Sequence, residues 1–256
     1  MKIGFIGTGQ ITKAVVIGIL NTKIKLNKIY ISERNRKISR YLKLKSKKIV
    51  ILKDNQEIIN KSNWIFLAVT PDVGLKILKQ YKYKKNQTVI SFISTINLKE
   101  LRNIIKIKTN IVRAIPLPPI SFNKGPIPIF PPNIKVKNFF KHLGTVIEIN
   151  NEKLSLNFWS ISGMMAPYYE FLNFMSKWLR KKGIKKVKAQ KYITSLFFAL
   201  SEDAVLHSSK DLNNLVRDSQ TPGGLNEQGV RQLKKNGFYK STEKTLNKIF
   251  NRLKKS

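Results

Sequence analysis

Cysteine is absent from this 256-residue chain, histidine occurs only as His142 and His207, and 14 acidic side chains face 49 Lys and Arg. Without thiols there can be no disulfide, thiolate metal site or cysteine nucleophile, and two histidines are too few for an ordinary zinc site, so no metal is expected. Long apolar runs are also missing. The longest uncharged stretch, 154–169, contains Asn157, Ser160, Ser162, Gly163 and Pro167, and it falls short of the roughly 18 apolar residues of a membrane span. The start resembles a signal peptide, but Lys13 interrupts its apolar run and no small-residue cleavage site follows, so a cytoplasmic protein is expected. What is present, 42% hydrophobic residues with 13 Gly and 10 Pro, excludes collagen and wholesale disorder.

The shortage of carboxylates leaves a formal charge of +35. Basic runs occur at 34–48, 180–191 and 234–255, with further lysines at 76, 79, 82, 84 and 85. A nucleic-acid stripe should concentrate on one element and interleave with exposed aromatics. This spread accompanies general Ile, Lys and Asn enrichment, as an AT-rich genome produces, so nucleic acid is not an expected partner.

The first part alternates β-branched runs at 2–6, 28–31, 48–52, 64–69, 88–92 and 110–114 with helical stretches. Runs apolar on both faces suit a parallel sheet covered by helices. The proline-rich segment 115–132 is expected to be a loop or edge region. A helix at 134–142 and a strand at 145–149 complete a first domain, 1–150. The second, 151–256, reads as helices at 154–160, 164–182, 186–211, 212–218, 224–235 and 241–254. The fold class is therefore α/β: a doubly wound, mainly parallel Rossmann sheet followed by an all-helical domain. The helices at 164–182 and 186–211 are apolar nearly all round, through residues such as Phe174, Trp178, Phe198 and Leu206. Burying both calls for a second subunit, so a homodimer or larger homo-oligomer is expected. His142 on a surface helix and His207 late in a buried one are read as structural, and Glu202-Asp203 as partners for Lys or Arg at a subunit interface.

Gly7-Thr8-Gly9-Gln10-Ile11-Thr12 joins the first strand to the first helix. Gly7 permits the turn, Gly9 lets backbone approach a pyrophosphate, and the helix start at Gln10 and Ile11 supplies N–H groups and a positive dipole end. Thr12 stands where Gly or Ala is usual. After the second strand, Ser32 with Arg34, and with Arg36 close by, favours the phosphate of NADP, whereas Glu33 favours the ribose of NAD; NADP(H) is preferred, NAD(H) possible. Leu67-Ala68-Val69-Thr70-Pro71 ends the fourth strand at the carboxyl edge, where Ala68 and Val69 are expected to line the cofactor crevice and Thr70 and Pro71 to open the next helix.

Together with Ile111-Val-Arg-Ala-Ile-Pro, Ile161-Ser-Gly and above all Thr221-Pro-Gly-Gly followed by Gly237-Phe, these motifs resemble the pyrroline-5-carboxylate reductase family nearly end to end. The resemblance implies a Rossmann domain with Ala114 beside the coenzyme. It also implies a helical dimerisation domain whose Pro-Gly-Gly helix completes the partner's site through Thr221, Gly223, Gly224, Leu225 and Asn226. The reaction it implies is hydride transfer from a reduced nicotinamide to a small cyclic imine, most simply 1-pyrroline-5-carboxylate, giving proline. A protonated imine is already electrophilic, so positioning matters more than acid–base groups. The helix start at Gly223-Gly224 is expected to offer free N–H groups to the substrate carboxylate.

The chain departs from the family at three places. Ile115-Pro116-Leu117-Pro118-Pro119 replaces Met-Pro-Asn-Thr-Pro. Leu225-Asn226 stands where Pro-Gly-Gly is usually followed by a Thr at the second place, leaving Asn226 to position substrate. Met164-Met165 replaces a polar helix start. These changes keep two alternatives open: a same-fold oxidoreductase acting on another imine or ketone, and a non-catalytic protein binding nucleotide or nucleic acid.

Overall fold

The computed structural model describes residues 1–255, which divide into two compact units, Met1–Trp159 and Ser160–Lys255. The sequence reading puts the division at 150; the structure keeps the next nine residues with the sheet, where Glu152 and Trp159 hold Arg113.

The first unit contains strands β1 (Lys2–Ile6), β2 (Lys28–Ser32), β3 (Ile49–Leu52), β4 (Trp64–Leu67), β5 (Thr88–Ser91), β6 (Asn110–Ala114), β7 (Pro126–Phe130) and β8 (Thr145–Glu148). Between them lie helices α1 (Gln10–Leu20), α2 (Arg36–Lys45), α3 (Asn55–Lys61), α4 (Pro71–Ile77), α5 (Leu98–Ile105) and α6 (Ile134–Phe140). The strands form one sheet in the order β3-β2-β1-β4-β5-β6-β7-β8, with β1 to β6 all parallel. The order reverses between β1 and β4, which opens a crevice beyond their carboxyl ends. Phe5 and Phe66 stack at 4.6 Å across this pair, and Phe139 and Phe140 of α6 close over Phe66. Both faces are covered, so Ile3, Phe5, Ile31, Ile65, Phe66 and Val89 are fully buried.

The proline-rich segment departs from expectation. It supplies β7, an interior strand, antiparallel to β6 and parallel to β8, and a 3-10 turn, Pro118–Phe122. Strand alternation explains how prolines are tolerated there. The odd residues face β8, where the carbonyls of Gly125 and Ile129 accept from Thr145 and Ile149. Pro126 and Pro128 face β6 instead, where the register covers Arg113 and Ala114 and the Pro128 carbonyl accepts one further bond, from Ile115 N–H at 3.2 Å. The turn packs on α1: Ile120 is fully buried, Asn123 donates to the Gly18 carbonyl at 2.9 Å, and a Cβ on Gly18 would lie 2.3 Å from the Ile120 carbonyl oxygen.

Helix α7 (Ser155–Ser162) begins in the first unit and ends in the second, which continues with α8 (Met165–Lys181), α9 (Lys186–Leu206), α10 (Leu212–Asp218), α11 (Leu225–Lys235) and α12 (Phe238–Lys255). Helix α9 ends at Leu206 instead of reaching 211: His207 N–H makes the last i to i−4 bond, to the Asp203 carbonyl, and Ser208 turns its N–H and its Oγ, at 2.8 Å, onto the Val205 carbonyl instead. His207 is therefore partly exposed and pairs with Asp203 at 3.2 Å, where a buried histidine was expected. Among the described residues no helix is long and apolar enough to cross a membrane, and no His/Asp/Glu group could hold a metal ion.

Candidate functional site

At the switch point, a cleft of about 590 Å3 is walled by Gly7, Thr8, Gly9, Arg34, Asn35, Arg36, Ala68, Val69, Thr70 and Val73. Gly7 sits at φ +99°, and a Cβ there would meet the Ala68 carbonyl oxygen at 2.4 Å. Only glycine lets the loop after β1 lie against the end of β4. Gly9 caps α1 without any side-chain hydrogen bond, and a Cβ on it would meet nothing within 4 Å. The N–H groups of Gln10, Ile11 and Thr12 precede the first intrahelical bond, from Lys13 to Gly9, and the first turn carries no acidic residue. An open approach, free helical donors and Arg34 and Arg36 on the same wall suit a dinucleotide's phosphates. Thr12, the unusual third position, is fully buried and donates to the Gly7 carbonyl at 2.7 Å, bracing the loop.

Ser32 is not among the walls. It is buried, and Thr8 Oγ1 lies 2.7 Å from its carbonyl oxygen and 3.0 Å from its hydroxyl. Its hydroxyl serves to tie the glycine loop to the end of β2. The guanidiniums of Arg34 and Arg36, with Asn35 between them, are the polar groups left on that wall. Of the other residues singled out, Gln10 is exposed, Ile11 packs on the core, Pro71 opens α4, and Ala114 is fully buried. The reading missed Thr8, Asn35 and Val73, whose types carry no signal before the fold is known.

In the second unit the two glycines before α11 have separate reasons. Gly223 has φ +70°, and a Cβ on Gly224 would lie 2.3 Å from Thr221 Oγ1. The donors expected to be free there are partly taken. Gly223 N–H donates to Glu227 Oε2 at 2.6 Å and Gly224 N–H to the Thr221 carbonyl at 2.8 Å. The unused donors are the next three, at Leu225, Asn226 and Glu227, ahead of the first helical bond from Gln228. The Asn226 side chain donates to the Ser219 carbonyl at 2.8 Å, so it braces the loop before α11. Thr221 and Glu227 also wall a hollow of about 360 Å3 with Arg217 and Gln220.

Arg113, which sequence reading quoted only as part of a motif, is a buried hub. Its guanidinium pairs with Glu152, donates to the Ser94 carbonyl at 2.6 Å and lies 4.5 Å from the Trp159 ring centre. Glu152 also accepts from Leu98 N–H, at the start of α5, at 2.8 Å. Burial lowers the guanidinium's affinity for its proton, and the bond to Glu152 opposes that shift. The hub keeps residues 152–159 with the sheet. Among the described residues, Arg113 Nε and Trp159 Nε1 are buried donors without a hydrogen-bond partner.

Residues 2–95 match the family described as NADP oxidoreductase coenzyme F420-dependent, and residues 152–256 match pyrroline-5-carboxylate reductase dimerisation. Pyrroline-5-carboxylate reductase 2 of Bacillus subtilis is 27% identical over 93% of this chain and 88% of its own length. Among solved structures, 1-pyrroline-5-carboxylate reductase from Streptococcus pyogenes superposes with a TM-score of 0.85 at 22% identity, covering 100% of this chain and 99% of that one. The Plasmodium falciparum pyrroline carboxylate reductase with NADP bound gives 0.83 at 23%, covering 99% and 97%. With a Rossmann sheet, the glycine loop and the Pro-Gly-Gly helix start, and with a match to the dimerisation domain over residues 152–256 that points to a homo-oligomer, the chain is similar to pyrroline-5-carboxylate reductases over nearly its whole length.

Proposed function

We propose that this protein reduces 1-pyrroline-5-carboxylate to proline with NADPH. The observation that carries the reading is the cleft at the β1–β4 switch point, where Gly9 leaves open space before three free helical N–H groups and Arg34 and Arg36 line the same cleft. When bound, the reduced coenzyme supplies the hydride. The chain's part is to hold and orient. The first turn of α1 binds pyrophosphate oxygens, and Arg34 and Arg36 take the additional phosphate that distinguishes NADP, with Asn35 donating alongside. Ser32 acts indirectly, through Thr8, by keeping the loop and this basic wall in register.

At the other recognition element, the N–H groups of Leu225, Asn226 and Glu227 bind the substrate carboxylate, helped by the positive end of α11. Asn226 takes part through its backbone, its amide being held by Ser219. No acid residue is assigned to the chemistry, since a protonated imine accepts hydride once it is aligned. A second reading, another small cyclic imine, is favoured by Leu117 and Pro118, which place apolar groups where the family has an amide and a hydroxyl.

Coenzyme oxidation with 1-pyrroline-5-carboxylate, followed by detection of proline, tests the proposal. NADPH turnover exceeding NADH turnover is expected. Binding of NADPH without proline formation would transfer the assignment to other imines.

A further inference from the structure

We propose that the amino edge of the sheet, opposite the coenzyme cleft, is a second site that binds a linear polyphosphate chain. Along the sequence the charges look scattered, but in the first unit the fold sorts the carboxylates along the strand axis. Because β1 to β6 are parallel, the residues that start them share one edge and the helix N-termini share the other. Carboxylates collect at the carboxyl edge: Glu33 follows β2, Asp54 caps α3, Asp72 and Glu100 open α4 and α5, and Glu152 pairs with Arg113. Glu148 is level with Ala114 through Ile129. The remaining acid of the unit, Glu57, lies within α3 and is paired with Lys61 at 2.6 Å.

The amino edge carries two adjoining clefts. One, of about 390 Å3, is walled by Lys2, Lys61 and Lys84 with Asn60, Asn63, Asn86 and Gln87. The next, of about 650 Å3, begins at Lys85 and adds Arg102, Lys106 and Lys108 with Thr109 and Asn110. Among the described residues, Lys61 alone of these cations is paired with a carboxylate. The preference of cations for helix C-termini accounts for Arg102 in the last turn of α5. It does not account for Lys84, Lys85 and Lys108, which stand in loops before β5 and β6. Gln87 fixes one of those loops. It is buried, accepts from Lys84 N–H at 2.8 Å, and donates to the carbonyls of Ile59 and Ser62.

Ammonium, guanidinium and amide groups thus line an extended edge, which fits a chain of phosphates; of these the Lys84 ammonium rests on the Asn60 carbonyl at 3.0 Å and the Gln87 amide is used within its loop. The walls include no aromatic ring on which bases could stack. The edge therefore suits an inorganic polyphosphate better than a single-stranded nucleic acid.

The test is fluorescence anisotropy of an end-labelled inorganic polyphosphate, titrated with the full-length protein at low and physiological salt. The variant Lys85→Gln/Arg102→Gln/Lys106→Gln/Lys108→Gln is compared with a charge-matched control on α12, Lys240→Gln/Lys244→Gln/Lys248→Gln/Arg252→Gln, after both are shown to melt like the parent. The proposal expects at least about tenfold weaker binding and a shallower salt dependence for the amino-edge variant, and less than about twofold loss for the control. Equal losses in the two variants would reduce the effect to net charge and overturn the site. Absence of parent binding at physiological salt would overturn it as well. Tighter binding of a single-stranded oligonucleotide with the same number of phosphates would overturn the choice of occupant.

Discussion

The two units treat their apolar side chains in opposite ways. In the first, large side chains such as Phe5, Phe66, Phe140 and Leu42 are fully buried, and α2, α3, α5 and α6 each begin with an Asn or Asp side-chain cap. In the second, among the described residues, Ala189 and Ile193 are the hydrophobic side chains that are buried, while Phe174, Phe198 and Leu206 remain 63%, 61% and 79% exposed. The first unit completes its own core; the second carries apolar surface that a dimerisation domain reserves for another copy. Stability therefore belongs to the chain in one half and to the assembly in the other.

This contrast breaks most severely at the exposed aromatics. Phe174→Asp combined with Phe198→Asp should weaken association by about a thousandfold or more, roughly 4 kcal/mol, as sedimentation at falling concentration would measure. Unchanged association would mean that these side chains are not the subunit contact. Inside the first unit, Arg113→Met strands the Glu152 carboxylate and should cost about 3 kcal/mol in urea unfolding. Adding Glu152→Gln should recover most of that loss, and neither change should depend on protein concentration.

The glycine loop sharpens the comparison at smaller scale. Gly7→Ala forces a left-handed backbone and meets the Ala68 carbonyl, so about 2 kcal/mol or more should be lost. Gly9→Val points into open space and should change unfolding by less than about 0.5 kcal/mol while abolishing NADPH binding by calorimetry. Retained binding would remove the cleft assignment.

The smallest effect concerns Tyr83, whose phenol burial pushes well above its ordinary value of 10.0. The folded state holds the neutral form, so this contribution is intact below pH 10 and fades as pH climbs through the alkaline range, where the unfolded chain ionises first. Tyr83→Phe should lose below about 1 kcal/mol at neutral pH, since its bond to Leu78 is long at 3.4 Å. Its urea midpoint should fall less steeply than the parent's above pH 10.

Much of this was legible before any coordinates. Runs such as Trp-Ile-Phe-Leu are apolar on both faces and can only be strands buried under helices, and β1 and β6 begin and end where the pattern places them. Thr221-Pro-Gly-Gly announces a helix start because each glycine answers a distinct local demand. What stayed hidden depends on partners far along the chain. Pro126 and Pro128 argue against an interior strand until it is known which neighbour each faces. Ser32 reads as a ligand group until Thr8 is found holding it. Nothing local marks Arg113 as buried, because Glu152 and Trp159 lie some forty residues away.

The short pairing between β6 and β7 leaves the sheet with a lateral seam. Six strands on one side are laced continuously, two on the other are laced to each other, and across the joint the register spans Arg113 and Ala114, with one further bond from Ile115 N–H to the Pro128 carbonyl. Under a stretching load, or in slow exchange of amide protons, the sheet should part there first. The hub at Arg113 sits on that joint and acts as its rivet.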